Sequence, residues 1–236
     1  MFQTFTSSLQ DDKDYRYERK FFISSLTLHE VESIVKLHPE MFSEIYYQRS
    51  VNNIYFDAPN LGNFFDNVDG NLHRLKLRIR WYGNLFGHIE KPVIELKIKQ
   101  GLLGGKLSFP LHPFNLTTGF SFKTICDAID ASDIIESVKI ALKSSYPTLL
   151  NCYKRKYYQS ANGKYRITID TDQYFYHISY HNNTFLKKVT DNENVILELK
   201  YDRNLDDASC HITNHFPFRI TKSSKYVTGF EKLNKW

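Results

Sequence analysis

The chain has 236 residues, of which 42% are hydrophobic and 15% aromatic, a composition that excludes a disordered protein and supplies a large apolar core. Its formal net charge of +5 is a modest positive excess, which fits an anionic ligand and does not by itself indicate nucleic-acid binding. No apolar run approaches the roughly 18 residues of a membrane-spanning helix, and the N-terminus lacks the apolar stretch of a signal peptide. We therefore expect a cytoplasmic protein with a single domain over residues 1–236.

Short segments that alternate between apolar and polar residues recur along the chain and are separated by turn-forming residues, as antiparallel strands require. Helical patterns are confined to residues 27–42, a short segment after Asn60, and one or two helices within 122–145. The pattern thus predicts an α+β protein with enough strands to close a barrel. The predicted strands cover residues 16–24, 50–57, 74–82, 92–100, 106–111, 151–159, 165–176, 184–189 and 195–202, with a last one around 216–229.

The strand within residues 73–83 places four cations on one face and four apolar residues on the other. The cations are Arg74, Lys76, Arg78 and Arg80. Side chains two positions apart on a strand stand roughly 6.6 Å from each other. At an effective dielectric constant of about 20, each neighbouring pair would repel by roughly 2.5 kcal/mol. Either this face is solvated or an anion binds to it.

Other predicted strands divide in the same way. Glu95, Lys97 and Lys99 share one face of their strand, and Glu198, Lys200 and Asp202 share one face of another. If these faces point outward, the barrel is an ordinary one with an apolar interior. If they point inward, the barrel is lined by cations with a few carboxylates, which suits a polyanion bound together with Mg²⁺ or Mn²⁺.

Several segments, in this order, carry a resemblance to a known family: YERKFF, NNIYFDAPNL, LRIRWYG, IELK, YKRKYY, YRITID, LELKY and ITKSSKYVTGFEKL. Over roughly residues 15–233 they resemble the catalytic domain of the vacuolar transporter chaperone (VTC) polyphosphate polymerases. That domain is a branch of the triphosphate tunnel metalloenzymes, also known as CYTH-like proteins. The resemblance implies a closed antiparallel eight-stranded β-barrel with flanking helices. Basic residues in its tunnel hold a triphosphate, and a carboxylate holds Mn²⁺ or Mg²⁺.

The resemblance and the strand faces together name the candidate site residues. Glu198 is the expected metal ligand. Glu18 and Asp170 are further candidates, although Glu18 could instead pair with a lysine and Asp170 could instead begin a turn. We expect Tyr153, Tyr157 and Tyr158 to pack in the barrel rather than to stack on a base. The expected catalytic residues are Arg78, Arg80, Lys97, Arg155, Arg166, Lys222 and Lys225, and the expected phosphate-binding residues are Lys20, Lys76, Lys106 and Lys200.

The activity that the resemblance implies is transfer of the γ-phosphoryl group of ATP to a growing polyphosphate chain. A tripolyphosphatase or nucleoside triphosphatase is one alternative, and a polyphosphate-binding module without catalysis is another. Arg16 stands where the wider superfamily has the first carboxylate of its E-x-E-x-K opening, and this departure favours a polymerase over a hydrolase. The expected partners are ATP, polyphosphate or triphosphate, and a membrane protein that moves the polymer and would recruit the chain to the cytosolic membrane face.

Overall fold

A computed structural model of the chain describes residues 16–101 and 103–234. Residues 1–15, which make up most of the N-terminal segment considered above for a signal peptide, lie outside these residues. Within them, no helix has the length and apolar character needed to cross a membrane.

Eleven strands lie within the described residues, and eight of them form the closed barrel that the sequence predicts. The eight strands follow one another around the ring in the order β9, β11, β1, β6, β5, β3, β2 and β8, and β8 pairs again with β9. All of these pairings are antiparallel. The strands are β1 (Arg16–Ile23), β2 (Ser43–Asp57), β3 (His73–Tyr82), β4 (Gly87–Ile89), β5 (Val93–Gln100), β6 (Leu103–Pro110), β7 (Phe114–Leu116), β8 (Tyr146–Gln159), β9 (Tyr165–Tyr176), β10 (Lys188–Asp191) and β11 (Val195–Asp202).

The ring has one short seam, between β1 and β6. These strands pair only where Arg16 lies opposite Gly104 and Tyr17 lies opposite Leu103. Further along, the free edge of β1 is occupied by the segment that precedes the last helix. There Ile220 bridges to Phe21, and the Thr221 amide donates a 2.7 Å hydrogen bond to the carbonyl of Lys20. The chain near its C-terminus therefore completes the barrel wall.

Six helices lie within the described residues and cover the outside and one end of the barrel. The first begins at the capping box of Thr27 and Glu30, in which each residue satisfies the backbone amide of the other. Residues 122–145 form two helices rather than one. The helices are α1 (Leu28–Lys36), α2 (Gly62–Asp69), α3 (Phe122–Asp130), α4 (Glu136–Lys143), α5 (Asp206–Thr213) and α6 (Lys225–Asn234).

Two predicted strands are wrong. The segment around 216–229 makes a single bridge at Ile220 and becomes helix α6 from Lys225 onward, because this helix buries Tyr226, Gly229 and Leu233 at helical spacing. In the segment 184–189, only the last two residues are in a strand. Before them, Phe185 has a positive φ of 56° and packs against Phe86 and Phe120, so the chain turns there instead of extending.

The apolar faces of the strands point outward and are covered by helices, which settles the direction of the charged faces. The apolar rows of β3 and β5, for example the β3 row from Leu75 to Trp81, pack in one core cluster with residues of α3 and α4 such as Ile125 and Val138. On β1, β9 and β11, residues such as Leu197 pack in a second cluster with residues of α1 and α5. Since side chains alternate along a strand, the cations lie on the opposite, inward face. The charged rows therefore line the interior of the barrel.

Candidate functional site

Glu95 on β5 anchors three cations of the tunnel wall. Arg78 donates from Nε and Nη2 to Glu95 Oε2 at 2.9 and 2.6 Å, and Arg80 Nη1 lies 3.4 Å from the same oxygen. Lys106 Nζ donates to Glu95 Oε1 at 2.9 Å. Burial would raise the pKa of Glu95, but Arg78, Arg80 and Lys106 outweigh burial and hold this pKa well below its usual range. The carboxylate therefore stays ionised and fixes both Arg78 and Arg80.

Asp170 on β9 anchors a second pair of cations. Arg155 on β8 donates to both of its oxygens, from Nε to Oδ1 at 2.5 Å and from Nη2 to Oδ2 at 2.7 Å. Lys225, at the start of α6, donates to Oδ2 at 2.6 Å. Burial opposes ionisation, yet Arg155 and Lys225 lower the pKa of Asp170 to about 2. Both oxygens of this carboxylate are thus occupied by cations.

Glu18 and Glu198 lie on the neighbouring strands β1 and β11, among lysines. Lys97 donates to both oxygens of Glu18, at 2.7 and 2.6 Å, and Lys200 Nζ lies 3.1 Å from Glu198 Oε1. Burial would raise the pKa of Glu198, but Lys200, Lys20 and Lys97 together lower it well below its usual range. Burial and the charge of Glu198 act to raise the pKa of Glu18, but Lys97, with Lys200 and Lys20, lowers it below its usual value.

Two half-buried lysines in the tunnel have no carboxylate partner among the described residues. Lys20 Nζ donates a 3.0 Å hydrogen bond to the carbonyl of Ser223, and Lys76 Nζ donates a 2.9 Å hydrogen bond to Ser224 Oγ. Burial lowers the pKa of Lys20 to about 8, only partly countered by Glu198. Burial and the neighbouring cations, beginning with Lys20, also hold the pKa of Lys76 well below its usual value. An anion bound here would relieve this excess of positive charge.

Most of the predicted site residues lie together in this lumen, and two lie apart. Arg166 is exposed at the beginning of β9, where it pairs with Lys200 across the ladder. Lys222 is exposed beside the C-cap of α2, with Nζ 3.2 Å from the place where a Cβ on Gly70 would lie. The residues brought together are Lys20, Lys76, Arg78, Arg80, Lys97, Lys106, Arg155, Lys200 and Lys225 with Glu18, Asp170 and Glu198.

The neutral residues that position Arg80 were not identified from the sequence. Arg80 donates from Nε to Asn53 Oδ1 at 2.8 Å and from Nη2 to the Tyr153 hydroxyl at 3.2 Å. Asn53 is held in turn by a 2.9 Å hydrogen bond from its Nδ2 to Asn151 Oδ1. Tyr153 thus lines the tunnel, whereas Tyr158 packs in the core as predicted. The available signal for Asn53 was the pair of adjacent asparagines, Asn52 and Asn53, in the middle of a predicted strand, since asparagine is depleted in strands.

The carboxylates offer a partial site for a divalent cation. The described residues contain no group of three or more His, Cys, Asp or Glu side chains placed to hold a metal. Glu198 Oε1, however, is buried and accepts no hydrogen bond despite the nearby Lys200 ammonium. Mg²⁺ and Mn²⁺ are commonly held by one or two carboxylates together with phosphate oxygens of the substrate. Glu198 fits this mode. Both oxygens of Asp170 are paired with cations, and both oxygens of Glu18 accept from Lys97, so the alternative role of Glu18 as the partner of a lysine is the one observed.

Comparison with solved structures places this barrel among proteins of the same fold. It is similar to a putative adenylyl cyclase from Hippeastrum, described as having a dominant triphosphatase activity, with 12% identity, a TM-score of 0.51 and coverage of 92% of this chain and 95% of that one. It is also similar to a putative adenylate cyclase from Vibrio parahaemolyticus, with 8% identity, a TM-score of 0.51 and coverage of 93% and 98%. At such identities the likeness concerns the fold alone.

Sequence comparison identifies the family. No curated protein matches the chain. The family model of the VTC domain, in contrast, matches residues 15–234, which include all eight strands of the ring, both anchoring carboxylates and the two unpaired lysines. The chain therefore belongs to the VTC domain family.

Proposed function

We propose that this protein is a polyphosphate polymerase that transfers the γ-phosphoryl group of ATP to the end of a polyphosphate chain inside the barrel. Membership of the VTC domain family and the inward-facing cations support this activity. A terminal phosphate oxygen of the polymer attacks the γ-phosphorus, the bond from this phosphorus to the β,γ-bridging oxygen breaks, and ADP leaves. The attacking oxygen is already ionised, so the reaction needs no general base.

The observation that carries the proposal is the pair of half-buried lysines in the lumen without a carboxylate partner. Lys20 and Lys76 face the same lumen as Arg78, and the charges of Lys20 and Arg78 both lower the pKa of Lys76. Such a cluster of cations destabilises the folded protein, because like charges repel one another. A bound triphosphate supplies the missing negative charge.

The anchored arginines meet the main requirement of phosphoryl transfer, which is alignment and charge neutralisation rather than covalent chemistry. Glu95, Asn53 and Tyr153 hold Arg78 and Arg80 in place before substrate arrives, and Asp170 does the same for Arg155. Donors that need no reorganisation stabilise the developing charge most effectively in a site that excludes water. In this proposal Lys97, Lys106, Lys200 and Lys225 add charge around the phosphates.

Glu198 would hold Mn²⁺ or Mg²⁺ together with phosphate oxygens, while Glu18, whose oxygens both accept from Lys97, would keep this lysine in place. When bound, the metal supplies charge neutralisation at the oxygens of the transferred group. Asp170 serves in this proposal as the anchor of Arg155 and Lys225, because both of its oxygens are taken. The exposed Arg166 and Lys222 would guide polymer outside the reacting region.

Hydrolysis is the competing reaction, since it differs only in the acceptor. The Hippeastrum protein of similar fold is described as a triphosphatase, although fold alone does not transfer that activity. In this chain Arg16 occupies the first position of β1 and lies 3.5 Å from the exposed Asp202. A cation at this position favours a bound polyanion over an extra metal ligand.

The test is to incubate the protein with ATP and Mn²⁺, with and without a short polyphosphate primer, and to resolve the products by chain length. We expect chains that lengthen with time, at the expense of ATP. Free phosphate without long chains would replace the proposal with a triphosphatase, and polyphosphate binding without turnover would replace it with a binding module. Arg78→Ala should abolish the activity, whereas Lys164→Ala, at the exposed tip between β8 and β9, should not.

A further inference from the structure

Three tyrosine rings surround the guanidinium group of Arg49 at one end of the barrel. Arg49 Cζ lies 4.7 Å from the ring centroid of Tyr46, 5.6 Å from that of Tyr157 and 5.8 Å from that of Tyr82. Tyr46 and Tyr157 also meet edge to face, with centroids 5.7 Å apart. We call these four residues the tyrosine collar. Within the part of the chain that the structure describes, Arg49 forms no ion pair.

The tyrosine collar continues the rows that hold the anchored arginines. Tyr82 follows Arg80 by two positions on β3, and Tyr157 follows Arg155 by two positions on β8, so each shares a face with its arginine. Arg49 lies directly opposite Arg155 in the ladder between β2 and β8. Two residues of strand span roughly 6.6 Å. The tyrosines of the collar therefore form the next layer of the tunnel beyond Arg80 and Arg155, and Arg49 lies beside Arg155 at the base of that layer.

The chemistry of this layer differs from that of the layers before it. Phosphate recognition uses cations, and the tyrosines of the preceding layers, Tyr55 and Tyr153, are buried against those cations and offer no open ring face. Tyrosine rings and a planar guanidinium group, with Tyr46, Tyr82 and Arg49 exposed, are instead the side chains on which a nucleobase stacks. A polyphosphate chain has no flat apolar face to use them.

We propose that the tyrosine collar binds the base of the nucleoside triphosphate donor and so makes the site prefer ATP to inorganic triphosphate. This inference rests on the proposed function, because it takes the triphosphate to lie against Arg78, Arg80 and Arg155. With the phosphates held there, the ribose and base extend outward into the collar. The base stacks on Arg49 and on the exposed faces of Tyr46 and Tyr82.

The test compares two ligands that share a triphosphate and differ in the nucleoside. ATP and tripolyphosphate are titrated by calorimetry, in the presence of Mg²⁺, into the wild type and into the double variant Tyr46→Leu, Tyr82→Leu. We expect the Kd for ATP to rise about tenfold, as loss of a stacking platform does. The Kd for tripolyphosphate should be unchanged. The double variant Tyr46→Phe, Tyr82→Phe keeps both rings and should retain wild-type affinity for ATP.

Arg49→Lys is the second variant, because it keeps the charge and removes the planar group. Weaker binding of ATP with unchanged binding of tripolyphosphate supports stacking on Arg49. Equal losses for both ligands in the leucine or lysine variants would overturn the inference and assign the collar to the path of the polymer. No loss for ATP would overturn it as well, because the collar would then contribute nothing to nucleotide binding. In either case tripolyphosphate binding that is abolished by Arg78→Ala would leave the proposed function standing. A wild type that binds neither ligand would refute both.

Discussion

Lys225 at the start of α6 donates a 2.6 Å hydrogen bond to Oδ2 of Asp170 on β9, and this contact ties the last helix to the inner wall of the barrel. Arg155 occupies Oδ1 and shares Oδ2, so one buried carboxylate holds two cations from different elements. The site therefore depends on a helix that follows the last strand of the ring.

Replacing Asp170 with asparagine should strongly destabilise the protein. Removing one partner of a buried ion pair leaves the other charge without compensation, which costs about 3–5 kcal/mol in the free energy of unfolding. Urea denaturation measures this loss. The matched control is Asp172→Asn, which breaks the more exposed contact with Lys154 and should change stability by about 1 kcal/mol or less. Similar losses for both variants would contradict the anchoring role.

Because of the same carboxylate, we expect the wild type to lose stability at acidic pH. The pKa of Asp170 is about 2 in the folded protein and about 3.9 in an unfolded chain. A lowered folded-state pKa contributes stability that is present above the unfolded value and is lost as pH falls toward 2. Denaturation measured between about pH 4 and pH 2 should show this loss in the wild type. Asp170→Asn should show a smaller dependence on pH in that window.

Affinity for a triphosphate should fall as pH rises through about 8. Lys20 has a pKa of about 8 because of burial, with Glu198 and Glu18 raising it and Lys97 and Lys225 lowering it. Below this value Lys20 is charged and attracts the anion, and above it the lysine is neutral. Titration of tripolyphosphate from pH 7 to 9 measures the effect. Lys20→Arg stays charged and should move the decline in affinity to higher pH. If this variant has the same pH profile as the wild type, Lys20 is not the group whose titration weakens binding.

Gly229→Ala should destabilise the end of the barrel, although alanine favours helices by about 1 kcal/mol over glycine. A Cβ at this position would lie 2.3 Å from Phe175 Cδ1 and 2.8 Å from Leu149 Cδ2, so α6 would have to move outward. Overpacking of this kind costs about 1–3 kcal/mol. The midpoint temperature of thermal unfolding should fall. The rate of polymer synthesis should also fall, since α6 carries Lys225. Gly62→Ala, where the nearest atom is 3.4 Å away, should have little effect.

Glu198→Gln should weaken the response of the protein to Mn²⁺. The variant keeps the shape of the side chain and removes the charge that the proposed metal needs, and loss of this charge stabilisation should lower turnover by about 10²-fold or more. Electron paramagnetic resonance of Mn²⁺ with tripolyphosphate measures binding apart from turnover. Asp202→Asn, on the same strand but exposed beside Arg16, is the control. Normal Mn²⁺ binding by Glu198→Gln would place the metal elsewhere.

The eight ring strands could be predicted because alternation and turn residues are local signals. β3 shows this best, since its period of two separates four cations from four apolar residues without any knowledge of neighbouring strands. The segments that failed depend on distant partners. The segment around Ile220 has the pattern of a strand, but it forms only one bridge to β1, at Phe21, before α6 begins.

The sequence by itself determined the composition of the site, namely rows of arginine and lysine with a few carboxylates on strands whose other face is apolar. It also determined the family resemblance. Only the tertiary structure decided which way the rows face, because that depends on the helices that cover the apolar side. The tertiary structure also decided that Asp170 pairs with Arg155 and Lys225, whereas Glu198 keeps a buried oxygen free of hydrogen bonds. Charge pairing across strands depends on register and ring closure, which alternation along one strand does not encode.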